Sequence, residues 1–321
     1  MAGSNTGFRI FSCSGAVEIT SRIAAYIGRP VADALTTQWP NGEIRVQLRE
    51  NVRGANVFLV QAFGGNVNDQ LVELLVMLDA ARRASAERVT AVIPYFLYAK
   101  QEQKFRGREP ITARLVADMI VCAGADRVVT VDLHQGAIQG FFTIPVDHLP
   151  TQGVMADELK QRGYYGPGVV VVSPDSGGVD RAMALASRLD CSIAVVFKRH
   201  PDSSPEHAEL IDVVGDLAGK TALVIDDMIL GGSTLITAAE AVLRRGAASV
   251  SACVTHAVLC GDACERVRDS VLDELICSDS IPLRAGAPDK IKVVSLARLL
   301  GDAIQRIHAN ASVSEIIGAR G

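Results

Sequence analysis

Short runs of Val and Ile recur along the whole chain, and longer segments with apolar residues at helical spacing separate them. Continuous apolar runs of this length are typical of strands that are buried on both faces of a parallel sheet. The runs cover residues 57–63, 89–96, 128–134, 169–175, 192–198, 222–228 and 249–256. The helical pattern is clearest at residues 68–84 and 112–123. This alternation predicts an α/β fold in which mostly parallel sheets are flanked by helices.

A chain of 321 residues is too long for one average domain and suits two, each with its own core. The stretch 145–153 contains two prolines and a glycine, and we take it as the boundary. We therefore place an N-terminal domain at residues 1–149 and a C-terminal domain at residues 150–321. Open parallel sheets bind ligands beyond the carboxyl ends of their strands, so the residues that follow the strands are the candidate site residues.

The composition argues against several classes of protein. The net charge of -4 gives no reason to expect a nucleic-acid partner. The seven cysteines form no CxxC pair, which favours a reducing compartment over a disulfide framework or a zinc site. We expect a cytoplasmic protein, because no signal peptide and no apolar stretch long enough to cross a membrane can be seen.

Two adjacent carboxylates, Asp226 and Asp227, follow an apolar strand and precede a turn with two glycines. Glycine lets the backbone approach a phosphate closely, and the helix that follows presents free amides to it. The turn residues are Gly231, Gly232, Ser233 and Thr234. The alternative is a helix cap, with Ser233 or Thr234 as the capping residue. Because two carboxylates at a strand end are costly without a partner, the pattern favours a ribose 5-phosphate site, with the sugar on the carboxylates.

Three further clusters follow strands. The loop 98–110 has four cations, at Lys100, Lys104, Arg106 and Arg108, which suit a polyphosphate or simply a solvated loop. Asp132 and His134 after one strand, and Asp175 after another, can serve a hydrated Mg²⁺ that bridges phosphates, although a lone histidine is often structural. The basic run Lys198, Arg199 and His200 opens the polar stretch 201–209, which predicts a mobile lid or a surface hairpin. We expect the carboxylates, histidine and glycines to form one composite site.

Nine stretches match one known family in order and spacing. They are residues 41–43, 88–95, 108–112, 123–126, 132–134, 138–142, 144–147, 173–175 and 226–227. On these stretches the chain resembles the ribose-phosphate pyrophosphokinases along nearly its whole length. The resemblance implies two phosphoribosyltransferase-like (Rossmann-like) α/β domains, with ATP on the N-terminal side and ribose 5-phosphate on the C-terminal side. It implies PRPP and AMP as products, Mg²⁺ as cofactor, and a homo-oligomer in which dimers assemble to a hexamer.

The resemblance also implies a role for each matching position. The ATP-site positions are Trp39, Asn41, Glu43, Lys100 and Gln101, of which the first three serve a neighbouring subunit in the family. The metal-associated positions are His134 and Asp175, and the catalytic loop positions are Lys198, Arg199 and His200. The ribose 5-phosphate positions are Asp226, Asp227, Gly231, Gly232, Ser233 and Thr234. Positions that resemble a regulatory phosphate site are Arg53, Ser312 and Ser314.

Two departures from the family pattern bear on activity. Leu230 stands where the common class has an aspartate in the phosphate turn, so one carboxylate is missing. His200 stands where a catalytic arginine is usual, and a histidine is only partly charged at neutral pH. Arg199 is the residue that could replace it. Loss of such a clamp costs about a hundred- to a thousand-fold in rate.

These departures leave three hypotheses open. The first is an active ribose-phosphate diphosphokinase. The second is a catalytically weak paralogue that assembles with an active synthetase and regulates it, as Leu230 and His200 suggest. The third is an enzyme of the same fold that acts on another sugar phosphate or on PRPP itself, although a simple phosphoribosyltransferase would not explain the adenine-side residues 39–43.

Overall fold

The computed structural model describes residues 7–199 and 210–318. The chain forms two compact units, each an α/β layer structure with its own sheet. The described part of the first unit comprises residues 7–150, 280–282 and 295–318, and that of the second comprises residues 151–199, 210–279 and 283–294. The predicted fold class, with mostly parallel sheets between helices, is confirmed.

The sheet of the first unit has five parallel strands in the order β1-β4-β5-β6-β7. These strands are β1 (Phe8–Ser12), β4 (Asn56–Val60), β5 (Arg88–Val92), β6 (Arg127–Val131) and β7 (Val146–Leu149). All five residues of β4 are buried, as expected for a strand covered on both faces. An antiparallel hairpin of β2 (Ala34–Gln38) and β3 (Ile44–Leu48) forms a separate two-stranded sheet.

Four of the helices of the first unit are α1 (Val17–Ile27), α2 (Val67–Arg83), α3 (Thr112–Ala123) and α8 (Ala297–His308). The short α9 (Ser314–Gly318) follows α8. Both helices predicted from apolar spacing are present, and α3 has the predicted bounds. The apolar side of α2 is fully buried at Leu74, Met77 and Leu78, which fixes this helix against the sheet.

The second unit has a seven-stranded sheet in the order β10-β9-β8-β11-β12-β13-β14. Its strands are β8 (Val169–Ser173), β9 (Ser192–Arg199), β10 (Leu210–Val214), β11 (Thr221–Ile229), β12 (Ser249–Ala257), β13 (Leu275–Ser278) and β14 (Ile291–Val294). Its helices are α4 (Gln152–Gln161), α5 (Val179–Leu189), α6 (Ser233–Arg244) and α7 (Ala263–Asp269). All neighbouring strands are parallel except β9 and β10.

The division differs from the predicted one at the C-terminal end of the chain. The prediction placed residues 150–321 in one domain, whereas α8 and α9 belong to the first unit. The reason is that α8 packs against α1 and that its last turn contacts the amino end of β5. Tyr26 on α1 donates to Asp302 at 2.6 Å, and Arg88 donates to the carbonyl of Ile307 at 2.8 Å. Gly301 permits this approach, because a Cβ there would lie 2.6 Å from the Tyr26 ring.

Within residues 7–199 and 210–318, no helix is both long and apolar enough to cross a bilayer.

Candidate active site

The two carboxylates of the strongest motif lie inside β11, at the point where one of its neighbours has ended. Strand β8 pairs with β11 only from Thr221 to Val224, whereas β12 pairs with it as far as Ile229. Strand β11 is therefore longer than the predicted run 222–228. Asp226 and Asp227 lie on the part of β11 that extends beyond the end of β8. The Asp227 side chain is 4% exposed and that of Asp226 is 23% exposed. Carboxylates this buried need compensating partners.

Arg181, in the first turn of α5, supplies part of that compensation. Its Nη1 lies 3.2 Å from Asp226 Oδ1 and 3.7 Å from Asp227 Oδ1. Sequence reasoning missed this residue, although a cation in the first turn of a helix that follows a site strand was an available signal. Because α5 follows β8 directly, its first turn reaches the same edge of the sheet as the carboxylates.

The environment raises the pKa of Asp226 from 3.8 to about 7, mainly through burial and then through the hydrogen bond and charge of Asp227. The backbone amide of Asp227 and the Arg181 guanidinium act in the opposite direction, but they are weaker. Asp226 is therefore divided between its neutral and ionised forms near neutral pH. A neutral carboxyl both donates and accepts hydrogen bonds, as does each hydroxyl of a sugar.

The glycine-rich turn leads directly into α6. The N-cap residue of α6 is Gly232, which has no side chain to cap the helix and whose φ of +82° suits glycine. The alternative in which Ser233 or Thr234 caps the helix is wrong, because both lie in its first turn. Both are exposed, so their hydroxyls and the first amides of α6 are accessible to an anion.

A second missed residue contacts this turn from α7. Arg266 Nη1 donates to Ser233 Oγ at 2.8 Å, and Arg266 Nε lies 3.0 Å from Asp262 Oδ2. The preceding loop is joined to the turn as well, since the amide of Cys260 donates to the carbonyl of Leu230 at 2.9 Å. No sequence pattern near residue 230 indicates that α7 reaches the turn.

The turn after β8 holds Asp175, a predicted metal-associated residue. Its Oδ1 accepts hydrogen bonds from the amides of Gly177 at 2.9 Å and Gly178 at 3.0 Å. Buried Ser173 donates to the carbonyl of Asp175 at 2.7 Å. The Asp175 side chain is thus oriented by the start of α5, and the residue remains exposed.

In the first unit, the loop between β5 and α3 holds the predicted cations. Lys100 lies in a short 3-10 helix (Ala99–Gln101), and Gln101 Oε1 accepts a hydrogen bond from Thr112 Oγ1 at 2.6 Å. Glu109 shapes the loop by accepting the amides of Phe105 and Arg106, each at 2.9 Å. The four predicted cations, Lys100, Lys104, Arg106 and Arg108, are all exposed.

Trp39, Asn41 and Glu43 lie in the turn that joins β2 to β3. The Trp39 and Glu43 backbones are hydrogen bonded, and Asn41 Oδ1 accepts the Glu43 amide at 3.2 Å. The Trp39 ring is 50% exposed, and Arg45 lies over it with Cζ 4.8 Å from the ring centroid. An exposed indole beside a cation is suited to stacking with a flat aromatic ligand.

His134 follows β6 in a turn that a third missed residue supports. His148 lies on β7, opposite Thr130 of β6. Its Nε2 accepts a hydrogen bond from the amide of Leu133 at 2.9 Å. Asp132, which opens the turn, has a φ of +35°, an uncommon value for a residue other than glycine. The contact from His148 requires an unprotonated Nε2, and burial lowers the His148 pKa, with the Asp132 charge acting in the opposite direction.

Several predicted residues are described only in part. Lys198 and Arg199 end strand β9, and only their backbones fall within the description. His200 and the predicted loop 201–209 lie outside the described residues. Among the regulatory candidates, the Ser312 carbonyl accepts a hydrogen bond from Arg306 Nη1 at 2.9 Å, and Ser314 is the first residue of α9. The amide of Arg53 donates to Asn51 Oδ1 at 3.1 Å.

His148 makes the stability of the first unit dependent on pH. Because its folded pKa lies below the ordinary 6.5, the unfolded chain binds the proton first, so stability is lost as pH falls below about 6.5. We expect His148→Asn, which can still accept the Leu133 amide but cannot titrate, to lose less stability than wild type between pH 7 and pH 5. Thermal unfolding at both pH values measures this, and equal losses in wild type and variant would contradict it.

The two sheets, with the carboxylates and glycine turn on the second, define a protein of the phosphoribosyltransferase-like α/β class. Residues 8–124 match the profile described as the N-terminal domain of ribose phosphate pyrophosphokinase, and residues 198–318 match the phosphoribosyl synthetase-associated domain. The chain belongs to the ribose-phosphate pyrophosphokinase family, which makes it an enzyme of the ribose-phosphate diphosphokinase type.

Similar proteins cover almost the whole chain. A ribose-phosphate pyrophosphokinase of Caldanaerobacter subterraneus is 45% identical over 317 residues, which cover 98% of this chain and 99% of that protein. One from Agrobacterium fabrum is 48% identical over 308 residues, covering 95% and 98%. The crystal structure of phosphoribosylpyrophosphate synthetase from Mycobacterium smegmatis superposes with a TM-score of 0.89 at 37% identity, covering 95% of this chain and 100% of that one.

Proposed function

We propose that the enzyme transfers the diphosphoryl group of ATP to the C1 hydroxyl of ribose 5-phosphate, giving PRPP and AMP for nucleotide biosynthesis. The observation that carries the proposal is the arrangement on the second sheet. Two carboxylates held by Arg181 precede an open glycine turn and a helix whose first amides lack a side-chain cap at Gly232. Vicinal hydroxyls suit the carboxylates, and a 5-phosphate suits the turn.

In this proposal the second unit binds the sugar and fixes its orientation. Asp226 and Asp227 accept hydrogen bonds from the ring hydroxyls, and the proton that Asp226 carries near neutral pH lets it donate as well. Gly231, Gly232, Ser233 and Thr234 surround the phosphate. Binding through both ends of the sugar leaves C1 in one defined position. Positioning and electrostatic stabilisation together account for almost all of catalysis in phosphoryl transfer.

The first unit binds ATP in this proposal. The Trp39 ring stacks on adenine, and Asn41 and Glu43 contact its edge, in each case for a neighbouring subunit of a homo-oligomer, with dimers that assemble to a hexamer. Lys100 and Gln101 contact the nucleotide from the loop after β5. The exposed cations at residues 104, 106 and 108 supply positive charge for the polyphosphate.

Mg²⁺ is the proposed metal. Within the described ranges, no three His, Cys, Asp or Glu side chains converge tightly enough to hold a metal ion by themselves. Mg²⁺ fits such a donor set because it usually keeps several waters and uses one or two protein groups plus substrate phosphates. Asp175 of the second unit, exposed and oriented through one oxygen, is a proposed metal-associated residue, and His134 is the proposed one of the first unit. Bound Mg²⁺ would neutralise charge on the phosphates.

Lys198, Arg199 and His200 are the proposed catalytic cations, with Lys198 at the end of β9. They would neutralise charge that develops on the transferring phosphates. Arg53, Ser312 and Ser314 are proposed to bind a regulatory phosphate. The cytoplasm, where ATP and sugar phosphates are available, is the proposed location.

The alternative function is that of a weak paralogue that regulates an active synthetase, and Leu230 and His200 are the observations that favour it. The deciding measurement is AMP release from ATP, Mg²⁺ and ribose 5-phosphate by the pure protein, beside His200→Arg. We expect AMP from wild type and a faster rate from the variant. No AMP from either protein, across several metals and phosphate concentrations, would contradict the proposed function. Co-purification with a second synthetase chain would then favour the alternative.

A further inference from the structure

The turn that precedes α6 carries no ionised side chain of its own. Residues 230–234 are Leu, Gly, Gly, Ser and Thr, so the turn offers amides and hydroxyls but no formal charge. A sugar phosphate carries close to two negative charges at neutral pH. A cation that contacts the turn from another element would therefore contribute strongly to its affinity for a phosphate.

Arg266 is such a cation. Its Nη1 donates to Ser233 Oγ at 2.8 Å, although the two residues are 33 positions apart in the sequence. Its Nε lies 3.0 Å from Asp262 Oδ2, which holds the guanidinium plane by a second edge. The Arg266 side chain is 46% exposed, so its charge is accessible to a ligand bound in the turn.

The direction of the hydrogen bond determines what the Ser233 hydroxyl can do. A guanidinium has only donors, so Ser233 Oγ must act as the acceptor in this contact. The single hydroxyl hydrogen of Ser233 is then directed to another acceptor. A phosphate oxygen in the turn is an acceptor of the right chemistry, and the contact with Arg266 polarises the hydroxyl toward it.

Backbone hydrogen bonds also fix the position of Arg266 relative to the turn. The loop before α7 is hydrogen bonded to the start of the turn, from the Cys260 amide to the Leu230 carbonyl at 2.9 Å. The amide of Leu259 also donates to the carbonyl of Ile229 at 3.1 Å. The turn and α7 are thus joined at residue 230 and again at residue 233, which fixes the guanidinium relative to the turn.

We propose that Arg266 is a positioning residue for the 5-phosphate of the sugar substrate and acts through the hydroxyl of Ser233. The inference rests on the proposed function, because it assigns a role within the same ribose 5-phosphate site. It predicts that Arg266 determines affinity for the phosphorylated sugar and leaves the affinity for ATP unchanged.

The test compares Arg266→Gln with Arg268→Gln, a matched control on the same helix that pairs with Asp269 at 3.1 Å. The readouts are the Kd for ribose 5-phosphate by calorimetry and the separate KM values for ribose 5-phosphate and ATP. We expect Arg266→Gln to weaken ribose 5-phosphate binding about tenfold, the size of one hydrogen bond to a charged group, with the KM for ATP unchanged. We expect Arg268→Gln to match wild type in all three values, and Arg266→Lys to recover part of the loss.

A double variant separates positioning through Ser233 from a general effect of charge. If Arg266 acts through the hydroxyl, Arg266→Gln in a Ser233→Ala background should add little to the loss caused by Ser233→Ala alone. Fully additive losses would overturn the inference, as would an unchanged Kd in Arg266→Gln or an equal loss in Arg268→Gln. Melting temperatures equal to wild type exclude misfolding. Wild type that binds no ribose 5-phosphate and forms no AMP would contradict the proposed function, whereas normal wild type with normal Arg266→Gln would contradict this inference alone.

Discussion

Asp227→Asn should lower kcat/KM for ribose 5-phosphate by about a hundredfold, since hydrogen bonds to a charged group are worth about 1.5–3 kcal/mol each. The Asp227 side chain is 4% exposed and lies beside Arg181, so the amide keeps the size of the group but loses its charge and one acceptor. The KM for ATP should change much less. Steady-state assays of AMP formation with each substrate varied in turn measure both effects.

Asp226→Asn should also lower kcat/KM for ribose 5-phosphate by about a hundredfold. In addition, it should change how the stability of the protein depends on pH. Because the folded pKa of Asp226 is raised from 3.8 to about 7, the folded protein binds this proton more tightly than the unfolded chain does. Wild-type stability therefore falls as pH rises from about 4 to 7, and the loss is complete above pH 7. The asparagine side chain does not titrate, so the variant lacks this loss of stability. It should be more stable than wild type at pH 8, by about 2–4 kcal/mol.

Glu240→Gln is the matched control for both carboxylate variants. Glu240 is an exposed acid on α6 whose carboxylate lies 3.8 Å from Arg244. Its replacement should leave both KM values and the pH dependence of unfolding as in wild type. Full activity in Asp227→Asn, or a stability profile for Asp226→Asn that follows wild type between pH 4 and pH 8, would contradict the role assigned to the pair.

Arg181→Met should destabilise the second unit strongly. The guanidinium lies within 3.7 Å of both carboxylates, and its side chain is 29% exposed, so its removal leaves two buried acids without this partner. Breaking a fully buried ion pair costs 3–5 kcal/mol, and we expect about 2–3 kcal/mol at this partly exposed site. The loss should be larger at pH 8 than at pH 5, because protonation of Asp226 relieves the repulsion.

Thermal unfolding at the two pH values measures the effect, and a second substitution tests its cause. Arg181→Met combined with Asp226→Asn should recover much of the stability, because only one buried acid then remains. If the double variant is no more stable than Arg181→Met alone, the destabilisation arises from lost packing of the arginine side chain and not from charge.

The sequence was sufficient to predict the fold class because strand burial leaves a direct signal in composition. Strand β4 covers the first part of the apolar run 57–63, and β11 covers the whole run 222–228 and extends one residue beyond it at each end. The carboxylates and glycines of the second sheet were predicted for the same reason, since the carboxylates lie near the carboxyl end of a strand whose position was clear and the glycines follow that strand.

Three contributors to the candidate site were missed in the sequence, because their partners are distant in the chain. Arg181 meets Asp226 across 45 residues, Arg266 meets Ser233 across 33, and His148 meets Leu133 across 15. Arg266 and His148 lie on elements to which no motif was assigned, so local spacing gives no sign of their roles. Arg181 had one local signal, its place in the first turn of the helix that follows β8. The C-terminal unit differs from the predicted domain 150–321 for a related reason, since α8 packs against the distant helix α1.

The return of α8 to the first unit limits how the polypeptide can be divided. A gene fragment that stops at residue 150 would encode the five-stranded sheet without the helix that packs on α1, and would uncover the face of α1 that carries Tyr26 and Ile27. Splitting the gene at that point would therefore remove part of the packing of the first unit, whereas a circular permutant that moves residues 295–318 to the amino end would keep α8 and α9 with the five-stranded sheet.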